Sequence, residues 1–498
     1  MRRSKERELK LGAPASFHLP SFDDLDDGVV ARVLDPLRYR TVYLDTEELA
    51  LTRWGLSLRH REGEGWTLKL PSEDLGDALV RTELTWQGEA RRLPAAATEL
   101  VQAYVRRADL GPQVRLRTQR RRVDLYGGED VPFVHLFDDE VTVLEGRRVA
   151  ARFRELEVEA TDATPDGLLD SVVDRLRSEG AGEPDPTPKV VRALGARAQE
   201  PPEVEAPELG SSPTAGDVVQ RAIAASVIRL IRHDVVVRLD TDPEGVHQAR
   251  VATRRLRSDL RSFAPLVSED WARGLRDELG WLADALGRVR DGDVMLERMR
   301  MRAASLPETS MPGARRVLAA LERERNVAFD DLQEVISSDR YLGLLDALVA
   351  AAREPELVDE AAAAAKDVLP GLLLRPWQSL TKAAKAIGKT PADHELHKVR
   401  IKTKRCRYAA EAVAPVLGKR ARAFASDAAE LQDVLGDYND AVVAESRLRD
   451  WSTRARAREA TFAAGELAGL ERAAANAART GWRKAWKKLV SHKPQTWM

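Results

Sequence analysis

Over the first ~195 residues, apolar and polar positions alternate in short runs separated by turn residues, as in LSLRHREGEGWTLKLP (56–71) and FRELEVEA (153–160). A period of two is the strand signature, because successive side chains of a strand leave on opposite faces. From about Asp217 the spacing lengthens to three and four residues over long stretches with few turn signals, as in ARGLRDELGWLADALGRV (272–289). That spacing predicts helices. Between the halves lies GARAQEPPEVEAPELGSSPTAG (195–216), with four prolines, four glutamates and almost no large apolar residue, which predicts a linker. The expected layout is a β domain over 1–195, a Pro/Glu-rich linker over 196–216 and a helical domain over 217–498.

The helical half repeats itself. VHQARVATRRLRSDLRSFAPL (246–266) aligns without gaps to LHKVRIKTKRCRYAAEAVAPV (396–416), and ADALG (283–287) matches QDVLG (432–436) at nearly the same offset. Two copies of one bundle of about four helices are expected, over about 217–355 and 356–498.

Composition changes this picture only locally. Across 498 residues, 79 Lys+Arg against 80 Asp+Glu leave a net charge of −1, which argues against a globally basic nucleic-acid binder. One cysteine, Cys406, excludes an internal disulfide and a four-cysteine zinc site. The chain opens on the charged stretch MRRSKERELK and holds no run of ~18 apolar residues, so a cytoplasmic location is expected.

In the β half the charges sort by face. Glu6, Glu8 and Lys10 share one side of their strand, and Glu155, Glu157 and Glu159 one side of another. Arg59 aligns with Arg61, Lys69 with Thr67, and Arg115 with Arg117, opposite Val114 and Leu116. A wet antiparallel face would explain alternation alone. It would also interleave the signs, whereas here the outer strands carry carboxylates and the middle strands carry cations. If the sheet curls with this face inward, its lumen suits a polyanion with a divalent metal, carboxylates holding the metal and guanidinium groups the remaining phosphate oxygens.

At these residues the chain resembles the CYTH domains, the triphosphate tunnel metalloenzymes. Glu6-Arg7-Glu8-Leu9-Lys10 fits their ExExK signature, and TVYLDTEELALTRWGLSLRHR (41–61), TLKLP (67–71), VRLRTQRR (114–121) and ELEVE (155–159) follow in the family's order. The resemblance implies an eight-stranded antiparallel β tunnel that binds a triphosphate with Mg²⁺ or Mn²⁺ and hydrolyses its terminal phosphoanhydride. It also implies roles: Glu6, Glu8, Asp139, Glu155, Glu157 and Glu159 as metal ligands, with Glu6, Glu8 and Lys10 catalytic. Lys10, Arg59, Arg61, Lys69, Arg115, Arg117 and Lys189 become triphosphate ligands. FDDEV leaves Asp138 and Asp139 both open as the tunnel acid, VRLRTQRRR spreads five arginines over both faces of its strand, and Trp54 and His60 stand near the expected entrance. CYTH members include adenylate cyclases and thiamine-triphosphate hydrolases, so the fold does not select the substrate.

In the helical half His247, Arg250, Arg254, Arg257 and Arg261 fall within a stripe about 80° wide on a 3.6-residue helix. His397, Arg400, Lys404 and Arg407 take the same phases in the second copy. A stripe of charge is usually a solvated face. Here like charges at i,i+3 and i,i+4 repel, only Glu411 interrupts them, and the stripe is drawn twice, which favours an extended polyanion. The histidines, without paired ligands at helical spacing in both copies, read as phosphate contacts rather than metal ligands. Nucleic acid is the weaker partner, because aromatics are not interleaved with the arginines.

This half resembles the CHAD domain, the conserved-histidine α-helical domain. Its signature helices are VHQARVATRRLRS and LHKVRIKTKRCRY, and ALGRVRDGDV (285–294) and VLGDYNDAVV (434–443) are its helix-ending turns. The resemblance implies paired four-helix bundles across a basic groove for inorganic polyphosphate, and with it association with polyphosphate granules. The expected activity is that of a metal-dependent triphosphatase. A protein that holds polyphosphate without turning it over is the alternative.

Overall fold

A computed structural model describes residues 1–22, 25, 28–71, 73–75, 78–127, 130–388 and 391–494. The chain divides into two compact units, Met1–Glu203 and Val204–Met498. The division falls inside the expected linker, yet that segment is not a bare tether. Residues 195–199 form a 3₁₀ turn, Val204 is buried, and Glu200 and Glu203 pair with Arg53 and Arg106 of the first unit.

The first unit is built on strands β1 (Arg2–Ala13), β2 (Val30–Asp45), β3 (Ser57–Arg61), β4 (Gly65–Lys69), β5 (Glu73–Leu75), β6 (Ala78–Trp86), β7 (Gly111–Tyr126), β8 (Pro132–Glu145) and β9 (Arg148–Ala160). Neighbours run β1-β9-β8-β7-β2-β3-β4-β6, and β6 pairs back onto β1, with Glu6 opposite Arg81. Every pairing is antiparallel, so eight strands close a barrel, while β5 adds only a short hairpin partner to β6. Closure leaves no free edge and gives each strand an inner and an outer face.

Short helices α1 (Ala50–Arg53), α2 (Ala95–Leu100) and α3 (Gln102–Val105) follow β2 and β6. Helices α4 (Leu168–Ser178) and α5 (Lys189–Leu194) follow β9. On the outer face Leu9, Leu11, Leu156 and Val158 pack against Leu169, Val172 and Leu176 of α4. Inside the barrel Tyr43, Val114, Leu116, Val141 and Val143 meet Val190 of α5, so an apolar plug fills one end and leaves the charges to the remainder.

The second unit holds α6 (Ala215–Leu239), α7 (Pro243–Ser262), α8 (Glu269–Ala303), α9 (Met311–Ile336), α10 (Asp339–Arg353), α11 (Ala365–Lys385), α12 (Asp393–Arg454) and α13 (Arg458–Ser491). Helix α12 breaks at Gly418, whose φ of 72° lies in the left-handed region that glycine tolerates. Its arms, 393–417 and 419–454, therefore match α7 and α8, while α11 and α13 match α6 and α9. The first copy carries a fifth helix, α10, packed on α6. Thr214 and Asp217 cap α6 reciprocally, and Asp242 with Pro243 at the first helical position starts α7, so both are fixed where the stripe begins.

Met295, Leu296 and Met299 of α8 and Leu321 of α9 pack with Ala444 and Leu448 of α12 and Leu467 of α13, which joins the two copies through one core. Glu471, fully buried, accepts from Arg298 at 2.7 Å and Arg302 at 2.9 Å across the same seam. The approach of α9 to α13 requires Gly313, where an added Cβ would stand 2.2 Å from the carbonyl oxygen of Glu459.

Candidate tunnel site and basic cleft

Strand register decides which charges meet inside the barrel. Glu8 lies opposite Glu159, and Lys10 opposite Glu157, so β1 and β9 line one wall with carboxylates. One oxygen each of Glu6, Glu8 and Glu159 comes within 4.8 Å of the others. Burial, aided by the carboxylates of Glu157 and Glu6, pushes Glu159 up to about 8. Burial, joined by the nearby Glu83 and opposed by Lys69, pushes Glu6 up to about 7. Glu8 is equally desolvated, but Lys10, at 3.1 Å, and Lys69 hold it below its ordinary value. Neither oxygen of Glu8 accepts a hydrogen bond. Three crowded carboxylates, two of them raised by burial and only partly offset by Lys10 and Lys69, fit a hard divalent cation.

Deeper in the barrel the acids meet the chain's own cations, although burial still raises Glu155. Lys189 of α5 reaches Asp139 at 2.5 Å and Glu155 and Glu157 at 3.1 Å each. Arg120 donates to Asp139 at 2.7 and 2.6 Å and to Glu157 at 2.6 Å. Asp139, Glu155 and Glu157 thus lie outside the Glu6–Glu8–Glu159 group, in ion-pair contact with the chain's own cations, although neither Glu155 oxygen accepts a hydrogen bond. Lys189 correspondingly sits in that ion-pair network rather than among unpaired cations. The ambiguity in FDDEV resolves by alternation: Asp139 faces inward, and Asp138 faces outward to Arg154 at 2.7 Å.

Facing the carboxylates are Arg59 and Arg61 of β3, Lys69 of β4 and Arg81 of β6. The Nε atoms of Arg59, Arg61 and Arg81 are buried without a hydrogen-bond acceptor. Lys69 bridges Glu6, at 3.0 Å, and Glu83. Arg61 lies 4.3 Å over the ring of Tyr39, which fixes its plane.

Arg115 and Arg117 do not face the lumen. Both are exposed, on the opposite side of β7 from Val114, Leu116 and Arg120, which face the lumen. The inner face at that level is the apolar plug, so the apolar half of VRLRTQR points in, opposite to expectation. Trp54 packs on Tyr104, and His60 bonds the Gly88 carbonyl at 3.0 Å. Four inward residues escape the sequence reading: Tyr39, Arg81, Glu83 and Arg120. VRTELTW (80–86) carries the alternating signal for Arg81 and Glu83.

In the helical unit Arg250 and Arg254 of α7 and Arg400 and Lys404 of α12 line one cleft of about 350 Å³, edged by Asp291, Asn439 and Asp440. Arg250 pairs with Asp291 at 3.0 Å, and His397 Nδ1 contacts Asn439 at 3.0 Å. Burial and the guanidinium groups of Arg254, Arg400 and Arg250 push the Lys404 ammonium down to about 8. His247 and Arg407 line an adjoining cavity of about 710 Å³ that shares Arg254, and there Arg407 donates to Glu411 at 2.6 Å. Arg255, off the stripe, ties α7 to α12 through Glu411 and reaches Asp259 at 2.9 Å.

Arg257 lines neither cavity, and Arg261 lines a separate one. From His247 to Arg261 a helix rises roughly 21 Å, so a stripe in constant phase outruns a cleft formed where two helices approach. The basic end of α13 is a packed element, with Trp482 buried and Trp486 stacked 5.7 Å from Trp377. No helix among the described residues is long and apolar enough to cross a membrane.

The chain is 31% identical over 511 residues to an uncharacterized Mycobacterium tuberculosis H37Rv protein, Rv2226, covering 98% of this chain and 96% of that one. It is 31% identical, with the same coverage, to MT2285 of strain CDC 1551. The CHAD domain profile matches residues 221–449. Similar solved structures include PptA from Streptomyces chartreusis, at 24% identity and TM-score 0.46 over 55% of this chain and 99% of that one. The CHAD domain of the plant Ricinus communis matches at 27% and 0.47, over 57% and 94%. A putative adenylyl cyclase from Hippeastrum, described as having a dominant triphosphatase activity, matches at 17% and 0.25, over 38% and 94%.

Proposed function

We propose that this chain, which belongs to the family of these mycobacterial relatives, is a CYTH-type β tunnel followed by a CHAD domain, and that the tunnel hydrolyses inorganic triphosphate or a related triphosphate while the helical cleft holds polyphosphate. One observation carries the hydrolytic reading: the converged oxygens of Glu6, Glu8 and Glu159 share the barrel interior with Arg59, Arg61 and Arg81, whose buried Nε atoms have no acceptor although Arg61 Nη1 donates to Glu64 at 3.0 Å. A terminal phosphate between these walls satisfies the nitrogens. Glu6, Glu8 and Glu159 would hold Mg²⁺ or Mn²⁺, which would supply charge neutralisation at the phosphate oxygens.

The chain's own residues do the positioning. Phosphoryl transfer asks little covalent work of a protein, so fixed cations aimed at the developing charge carry most of the rate. Lys69, bridging Glu6 and Glu83, holds the carboxylate wall against the arginine wall. Lys10, between Glu8 and Glu157, keeps β1 in register with β9. The Lys189–Asp139–Arg120 network forms a rigid charged floor above the apolar plug.

In the cleft, Arg250, Arg254, Arg400 and Lys404 present cations from both copies to one chain. Such contacts place the protein wherever polyphosphate accumulates. The test is phosphate release from inorganic triphosphate, long polyphosphate, ATP and thiamine triphosphate by the full chain, with Mg²⁺, with Mn²⁺ and with chelator. Release from triphosphate with metal alone supports the reading. No turnover of any of the four, with polyphosphate binding intact, replaces it with the binding-protein reading.

A further inference from the structure

Arg261 belongs by helical phase to the first stripe, yet it opens onto a cavity of about 290 Å³ formed by the end of α7, by α11 and by α12. Four cations line this cavity, Arg261, Arg375, Lys402 and Arg405, and no carboxylate does. Among the described residues, none of the three arginines forms an ion pair. Burial and the neighbouring Arg405, Arg276 and Arg257 push the Arg261 guanidinium below its ordinary value. Lys402 donates to the hydroxyl of Ser379.

The lining also includes the apolar Ala264, Pro265, Leu372 and Pro376. Arg261, Arg375 and Arg405 are exposed at the rim, and Leu372 and Pro376 are half-buried within.

An inorganic phosphate chain would use only the cations. It gains nothing from apolar lining. A flat heteroaromatic ring packs against that lining, and phosphates attached to it reach the cations at the rim. The volume lies near the lower bound for small-molecule sites, which suits one ring system inside with its phosphates outside. We propose that this cavity binds a nucleoside polyphosphate, the base against Leu372 and Pro376 and the phosphates at Arg261, Arg375 and Arg405. The site shares no residue with the tunnel or the polyphosphate cleft, so it stands whether or not the tunnel is catalytic.

The experiment is equilibrium binding of ATP to the full chain in chelator, with inorganic triphosphate in tenfold excess to occupy sites that need only phosphates. ATP binding should survive that excess. It should fall by about tenfold or more in R375A/R405A, because two charge-assisted contacts are lost. Both residues are exposed, and matching melting temperatures would confirm an intact fold. The exposed pair R315A/R323A on α9 should bind as the parent does. Displacement of ATP by the triphosphate would show a site for bare anions and overturn the proposal. Unchanged ATP affinity in R375A/R405A would overturn it as well.

Discussion

In the β tunnel, Lys10, Lys69, Lys189 and Arg120 each have carboxylates within ion-pair distance, and only selected atoms remain unmatched. In the helical cleft Arg250 meets Asp291, but Arg254, Arg400 and Lys404 form no ion pair among the described residues and face one another. The difference is one of pairing. A closed barrel desolvates its charges, and buried charge is tolerated only when paired or awaiting a partner. The cleft leaves its cations without matching carboxylates: the Nε atoms of Arg254 and Arg400 are buried with no acceptor, and burial with mutual repulsion pushes Lys404 down to about 8, so this row awaits an anion. The first arrangement suits selective binding of one metal and one phosphate terminus. The second suits loose, salt-sensitive binding along a polymer.

The largest effect that would break this contrast is at Glu8. Glu8→Gln keeps the shape but removes a ligand charge, and metal-dependent phosphate release should drop ~100-fold or more. Polyphosphate affinity should stay within twofold. A parallel fall in both would mean that the two regions do not divide the work in this way.

Next in size is the cleft. Replacing Arg250, Arg254, Arg400 and Lys404 with Ala should lower affinity for long polyphosphate by one to two orders of magnitude and flatten its dependence on salt, since fewer counterions are released. Titration at several salt concentrations measures both. Triphosphate turnover should not change.

Smaller, and directed at the two faces of the barrel wall, is a comparison of Arg81→Ala with Arg117→Ala. The first removes a buried inward guanidinium and should cost about tenfold in kcat/KM for triphosphate. The second changes an exposed outward residue and should cost less than twofold. Reversed magnitudes would restore Arg117 to the lumen.

The smallest effect is one of pH. Lys404 titrates near 8, below an ordinary lysine, so its charge is present at pH 7 and is lost as pH rises through that value. Polyphosphate affinity should fall a few-fold between pH 7 and 9. Lys404→Arg, always charged, should remove that fall. A decline unchanged in this variant would place the titrating group elsewhere.

Period and repetition were legible from sequence because they are local properties. Alternation in ERELKL and RELEVEA set Glu6, Glu8 and Glu159 on common faces without reference to any partner strand, and the gapless match of 246–266 to 396–416 revealed two helical copies. Alternation fixes that two faces differ, but not which one turns inward. Arg115 and Arg117 were misplaced for that reason: at their level the barrel is filled by Val114, Leu116 and Val190, and only packing against α5 reveals it. Asp139 was separated from Asp138 by the same pairing, through the register of β8 between β7 and β9. The helical stripe shows the limit from the other side. Helical phase aligned five residues of α7, but only a second helix in space could determine that Arg250 and Arg254 share a cleft with Arg400 and Lys404 while Arg261 opens elsewhere, because phase is set along one axis and a binding surface by how two axes meet.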